Sequence, residues 1–395
     1  ANTGWGGNGA YSATGVATNG IAGSSGVVVV KYVNAPVISL SATTINSTVG
    51  TAVTSYTISN SGGAAASYSI SPSLAVSGLT FSTSTGQISG TPTTATSSAT
   101  YTITATNTSG TSTATFAIDV ANANCSPSSS SSGGYVTLTF TSTTACNWNV
   151  PTGISTSQIL VVGGGGGGGD SSTGYTGGAG GAGGYFYSSS VSINGTIVVS
   201  VGAGGTGATS STTNGTAGGN SAFGTLKVGG GGYGNSYSFP TSQAAGSGVG
   251  GSDYVSGGSG GGGRSRGAGD NNAKLGGSGG SIAPSGVTFL GTTYTGFAGA
   301  AGSDAYSGDV QSGGMGGAIT ATNRTSSISG TSVIYAKGGT FYPWDSGSNT
   351  AAPKTYGSGG STNYNYGSAE TAGNTLGGDG AQGVVIVKYA NVVNY

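Results

Sequence analysis

Reactive side chains are scarce in this 395-residue chain: nine acids, of which only Glu370 is a glutamate, nine Lys and Arg, two Cys and no His. Acid–base or nucleophilic catalysis needs titratable groups brought together, and the closest carboxylates in sequence are Asp304 and Asp309. Such a pair could form a glycosidase dyad; in a Tyr/Ser/Gly stretch the plainer reading is solvated turn residues. Arg264 and Arg266 could clasp an anionic glycan or a partner carboxylate, or be exposed loop arginines. Several glycine runs satisfy G-x-G-x-x-G by chance, and no Lys follows one in Walker spacing, which argues against a nucleotide site. No catalytic, cofactor-binding or metal-ligating residue is assigned, and an enzyme is not expected. Cys125 and Cys146 form an isolated even pair without C-x-x-C spacing, which suits a disulfide rather than metal or redox chemistry, with two free thiols as the alternative. A bridge closing that loop would contribute about 3 kcal/mol. The remaining candidates are aromatic. Tyr342, Trp344, Tyr364 and Tyr366, set among Gly, Ser and Pro, could stack on a host-surface glycan or anchor a protein interface; alternatively they are bulky pegs in a core poor in side chains.

Composition narrows the class. Gly makes up 85 of the residues and charged residues only 5%, with zero formal net charge. So few scattered basic residues cannot form the stripe that a nucleic acid requires. The 21 Tyr, nine Phe and several Val/Ile runs argue against disorder, and the absence of a strict Gly period argues against collagen. No stretch approaches the roughly 18 apolar residues of a membrane span. An extracellular, secreted or cell-surface protein is expected.

One stretch occurs twice. Val27, Val28, Val29, Val30, Lys31, Tyr32 and Val33 follow Gly26, and Val384, Val385, Ile386, Val387, Lys388, Tyr389 and Ala390 follow Gly383; counting the leading Gly and the trailing Asn, seven of nine positions are identical. Upstream, Gly20, Gly23 and Gly26 repeat the spacing of Gly377, Gly380 and Gly383. A run of β-branched residues leaving through Lys-Tyr predicts a buried strand. The second copy reads as the closing strand of its own domain. The first, in an N-terminal extension of residues 1–33, is left over and reads as a donor-like assembly strand.

Between the copies the pattern changes twice. Over residues 34–121, short alternating segments at 37–40, 53–59, 67–71, 79–82, 87–90, 99–106 and 114–120 predict a β-sandwich. Within them, Gly78-Leu79-Thr80-Phe81 through Thr85-Gly86-Gln87-Ile88-Ser89-Gly90-Thr91-Pro92, then Tyr101-Thr102-Ile103-Thr104-Ala105-Thr106-Asn107, resembles the immunoglobulin-like (cadherin-like) domains of bacterial surface proteins. That resemblance implies a spacer module; in the hairpin, Gly86 supplies the turn while Leu79, Phe81 and Ile88 face inward. Asp119 is the segment's only acid, so a calcium joint is not expected. Residues 122–134 read as a Ser-rich linker.

Residues 135–395 open with Thr139-Phe140-Thr141, pass Trp148-Asn149-Val150-Pro151 and Ile159-Leu160-Val161-Val162 with its seven following glycines, and end in the second copy of the strand. This order resembles the glycine-rich domain of large bacterial surface and phage tail-fibre proteins, and the Cys pair is a departure from that pattern. Asn194-Gly195 within residues 191–201 predicts a type I′ hairpin, and strands are expected at 184–187, 225–228, 287–290 and 332–336. The glycine runs could pack as polyglycine II-like segments or be loops over a β core. The expected fold is therefore all-β: an immunoglobulin-like β-sandwich plus a glycine-rich β domain. The expected role is an exported structural subunit of a cell-surface fibre, a homo-oligomer joined head to tail through residues 27–33. The alternatives are a fragment of a tandem-repeat adhesin, with a period of 357 residues (384 minus 27), and a receptor-binding fibre protein.

Overall fold

The computed structural model describes residues 22–53, 56–170, 175–210, 212–236, 244–263, 265–266, 275–302, 324–339, 341–342, 355–363 and 377–391. Every regular element among them is a strand. Contacts divide the chain into two units, Ala1–Ala121 and Asn122–Tyr395.

In the first unit, β2 (Thr44–Thr48), β4 (Ser67–Ser71), β7 (Thr96–Asn107) and β8 (Gly110–Ala121) form a sheet of order β2-β8-β7-β4. The β2–β8 pair is parallel and the others antiparallel. Two antiparallel ladders complete the unit, β1 (Ile38–Leu40) with β3 (Ile58–Asn60) and β5 (Leu79–Phe81) with β6 (Ile88–Gly90). Alternation places Tyr101, Ile103, Phe116 and Ile118 in the core, where Phe116 stacks on Tyr101 and Tyr56 with ring centroids 5.8 and 5.4 Å apart. Gly86 adopts φ +72°, and a side chain there would meet Ile58 and Tyr68; Leu79 and Ile88 are buried beside it and Phe81 half-buried. Of the strand expected over 53–59, the described residues show Ile58–Asn60 alone in strand; Tyr56 is drawn into the core, where its hydroxyl donates to the Gly86 carbonyl at 2.7 Å. The polar strand β2 carries little apolar alternation and was not expected.

The second unit is a sandwich. One sheet has the order β10-β11-β27-β13-β15, all antiparallel, from β10 (Ser128–Ser132), β11 (Tyr135–Phe140), β13 (Thr156–Val162), β15 (Tyr185–Ser192) and β27 (Val384–Ala390). The other runs β19-β18-β17-β16-β12-β9, from β9 (Ala123–Asn124), β12 (Cys146–Asn149), β16 (Thr196–Ser200), β17 (Ser221–Phe223), β18 (Leu226–Val228) and β19 (Tyr254–Ser256). Between them lies a core of Phe140, Trp148, Ile159, Ile197, Phe223, Leu226 and Val387, with further residues from both sheets. Short ladders flank it: β14 (Tyr175–Thr176) with β20 (Ser265–Arg266), β21 (Val287–Phe289) with β22 (Thr292–Tyr294), β23 (Thr325–Ser326) with β24 (Val333–Ile334), and β25 (Phe341–Tyr342) with β26 (Thr362–Asn363).

Two expectations need correcting. The Ser-rich stretch 122–134 is not a slack linker. β9 pairs with β12 and β10 pairs with β11, because the ladder uses only backbone groups and the five exposed serines need contribute no side-chain burial. The Asn194-Gly195 segment turns, with Gly195 at φ +61°, but forms no hairpin. β15 pairs with β13 and β16 with β12 and β17, so the turn carries the chain from one sheet to the other, and Val191, Ile193, Ile197 and Val199 all enter the core between them.

The glycine runs are rods, not loops. Residues 163–169 continue β13, and their amides repeat in threes. Those of 163, 166 and 169 donate to the carbonyls of 184, 181 and 178; those of 164 and 167 to 219 and 216; those of 165 and 168 to 381 and 378. Their carbonyls in turn accept from other segments: 164 and 167 from 231 and 234, 165 and 168 from 205 and 208, and 166 from 360. One rod is thus bonded to six neighbours. A threefold helix without internal hydrogen bonds, every face bonded to a different neighbour, is the polyglycine II arrangement. Only glycine permits it here, since a Cβ on any of the seven would lie 1.9–2.6 Å from a neighbouring carbonyl oxygen. The entropy lost in ordering glycine is offset by leaving no amide of the run unpaired.

Candidate assembly site

Residues 27–33 form no strand. Val28 is 90% exposed, Val29 82% and Tyr32 77%. The segment's exit is nonetheless fixed. At the tip of the β7–β8 hairpin, Ser109 Oγ donates to the Val33 carbonyl at 2.6 Å and Asn107 Nδ2 to the Asn34 carbonyl at 2.7 Å, while Pro36 is buried. Beyond this clamp four consecutive valines stand in solvent. Burying a Val side chain contributes about 1.5–3 kcal/mol, so the run forgoes several kcal/mol while it stays unpaired.

Its twin shows what the same residues do when seated. β27 lies between β11 and β13, in register through Leu138↔Val387 and Ile159↔Val387. Val385, Val387 and Tyr389 face the core between the sheets. Val384 and Ile386 face the opposite side, against Ile328, Tyr335 and Ala336. Both faces are therefore covered, and both edges are paired. At the exit, Lys388 Nζ sits 5.1 Å from the centre of the Tyr135 ring, and Tyr389 packs against Trp148 with ring centroids 6.4 Å apart, its phenol pushed above its ordinary pKa by burial. The glycine lead-in belongs to the lattice: the amides of 377, 380 and 383 donate to the carbonyls of 208, 205 and 202, and Cβ atoms there would lie 2.1–2.2 Å from the carbonyl oxygens of 168, 165 and 162.

Within this chain the closing place is filled by β27 itself.

Of the remaining sequence candidates, one pair is brought together. Cys125 and Cys146 are bridged, and the bridge ties the chain leaving β9 to β12, where the Cys125 amide also donates to the Asn147 carbonyl at 2.8 Å. Tyr342 lies in β25; Trp344, Tyr364 and Tyr366 fall outside the described residues, as do Asp304, Asp309 and Arg264. Sequence reasoning passed over Arg324. Its side chain is buried, and Nη2 donates to Ser259 Oγ at 3.4 Å while Nε and Nη1 have no hydrogen-bond partner among the described residues. Burial pulls the guanidinium down to about 10. No spacing or neighbour in the sequence marks this arginine as buried.

A family model described as a glycine-rich domain matches residues 139–390, and one described as a "putative Ig domain" matches residues 10–121. No curated protein matches the chain. Immunoglobulin-like and glycine-rich domains in this order fit a surface or fibre protein, and the disulfide suits an extracellular setting.

Proposed function

This chain belongs to the glycine-rich domain family, and from that premise we propose that it is a non-enzymatic structural segment of an extracellular surface fibre, joined through residues 27–33 to a glycine-rich domain outside this chain. The observation that carries the reading is the contrast between twins: four apolar residues fully buried at 384–387, and their near-copies at 27–30 exposed beside a fixed exit. Rigid polyglycine blocks would alternate with immunoglobulin-like spacers, each block locked to the next spacer by a strand.

Two sources of the partner domain are distinguishable. The filled β27 place favours a preceding glycine-rich block of a longer tandem-repeat chain, whose last strand residues 27–33 supply. Head-to-tail polymerisation of separate copies is the second reading, favoured by the exposed valines themselves, since soluble monomers seldom leave such a run uncovered. Electron microscopy and sedimentation of the full chain at high concentration separate the two. The tandem reading expects monomers, whereas fibres that vanish when residues 1–33 are removed would establish copy-to-copy assembly. Fibres that persist after that removal would refute both.

A further inference from the structure

The two copies differ in a patterned way. Aligning residues 20–34 with 377–391 gives six differences in fifteen, at 378, 379, 381, 382, 386 and 390. In the seated copy 379 and 390 are exposed and 378, 381 and 382 half-exposed. The one buried difference is Ile386, for which the first copy has Val29, a loss of a single methylene. The identities include the positions that the structure constrains most tightly. Gly377, Gly380 and Gly383 press against the lattice carbonyls, Val384, Val385 and Val387 are buried, and Tyr389 packs on Trp148. Gly378 is held less closely than these three, though a Cβ there would still meet the Ser361 carbonyl oxygen at 3.1 Å, and the first copy has Ile21 at that position.

A strand meant only to add to an exposed sheet edge needs one apolar face and no glycine period. The first copy has both apolar faces and the threefold glycines. Resting on the proposed joint, we infer that residues 20–34 are a second complete closing segment, and that their partner is a polyglycine lattice missing one rod. Gly23 and Gly26 would take the places of Gly380 and Gly383 against that lattice, and residues 27–32 would slot between two antiparallel strands with both faces covered. The partner surface is thus a vacancy lined by backbone carbonyls at one end and by aliphatic side chains at the other.

The test is made within the full chain. Six substitutions, Gly378→Ile, Asp379→Ala, Ala381→Ser, Gln382→Ser, Ile386→Val and Ala390→Val, write the first copy into the place of the second. This chain should fold, with its urea midpoint lowered by about half a molar at most, the shift expected from the buried methylene lost at Ile386 and the lost hydrogen bond from the Gly207 amide to Asp379. Adding Gly380→Ala, the equivalent of altering Gly23, should then lower the midpoint by about 1 M. If the six-fold variant is already as unstable as the natural chain carrying Gly380→Ala alone, residues 20–34 do not fit such a lattice and the inference falls. If it is stable and indifferent to Gly380→Ala, the glycine period has no role and the inference also falls. Neither result depends on whether the chain forms fibres, so failure here is separate from failure of the proposed function.

Discussion

Replacing Gly166 by Ala tests whether the glycine run is a lattice or slack chain. The new Cβ would lie 2.1 Å from the Gly232 carbonyl oxygen, so reaching ordinary contact at 3.4 Å requires a displacement of 1.3 Å (3.4 minus 2.1) between two backbones. Gly232 cannot move alone. Its carbonyl accepts from the Gly181 amide at 2.7 Å, its amide donates to the Ser259 carbonyl at 2.8 Å, and the Gly181 carbonyl accepts from Gly166 itself at 2.9 Å. Overpacking of this kind costs about 1–3 kcal/mol, and weakening these bonds adds a share of the roughly 1 kcal/mol each contributes. Restricting the unfolded chain returns only about 0.4–1 kcal/mol. The expected net loss is about 2–4 kcal/mol, or about 1 M in urea midpoint for a domain of this size. Trp148, buried against Phe140 and Phe223, reports it by fluorescence. Gly251→Ala is the matched control, because the nearest atom to its Cβ is 3.4 Å away and its φ is ordinary; it should be neutral or slightly stabilising. Equal midpoints for the two variants would refute the lattice.

Four further outcomes are expected. Cys125→Ser, or reduction of the natural chain, should cost about 3 kcal/mol by releasing the Cys125–Cys146 loop, read by calorimetry with and without reductant. Ile386→Asp should abolish folding of the second unit by burying a charge, whereas Val29→Asp at the matching position should leave the melting temperature of the isolated chain unchanged. The Tyr56 phenol is pushed up from 10.0 to about 12 by burial. Its contribution to stability should therefore be whole below pH 10 and be lost as pH climbs from 10 through 12, and Tyr56→Phe should remove that dependence in a pH series of urea melts. Arg324→Met should stabilise the second unit by about 1–3 kcal/mol, since it removes a buried cation whose Nε and Nη1 have no hydrogen-bond partner among the described residues, and a lower midpoint would contradict that.

What could be read from the sequence was whatever apolar alternation or strong turn chemistry announces. Tyr101 to Thr106 and Ile159 to Val162 declare strands, and the Gly86 hairpin declares its turn. Strands held by backbone alone were silent. β10 is five serines, all exposed, and pairs only because β11 presents a free edge. The Asn194-Gly195 turn was legible as a turn but not as a crossing between sheets, because its pairing partners lie far away in sequence. The glycine rods are the limiting case. Each residue carries no side chain to signal a face, so the threefold bonding of residues 163–169 to six neighbours depends on segments as distant as 378–381. The twin strands were fully legible as a repeat, but that one copy is seated between two strands and the other exposed required the structure.

That difference bears on how a fibre could grow. Suppose residues 20–34 of one copy displaced residues 377–391 of another. Four apolar residues would be buried and four near-identical ones released, so the burial term, about 1.5–3 kcal/mol per side chain, cancels. One Ile would give way to Val and the hydrogen bond from the Gly207 amide to Asp379 would be lost, leaving association to supply its own cost in lost translational freedom. Exchange between intact copies thus has nothing to drive it. A glycine-rich block that ends without its own closing segment has a vacancy, and filling it gains the whole burial with no release. In a tandem chain the vacancy and the segment are covalently linked, which raises their effective concentration and lowers the association cost further. On the proposed reading, the copied sequence would therefore serve to lock each unfinished block onto the spacer that follows it, and the exchange of closing segments between finished domains would gain no burial.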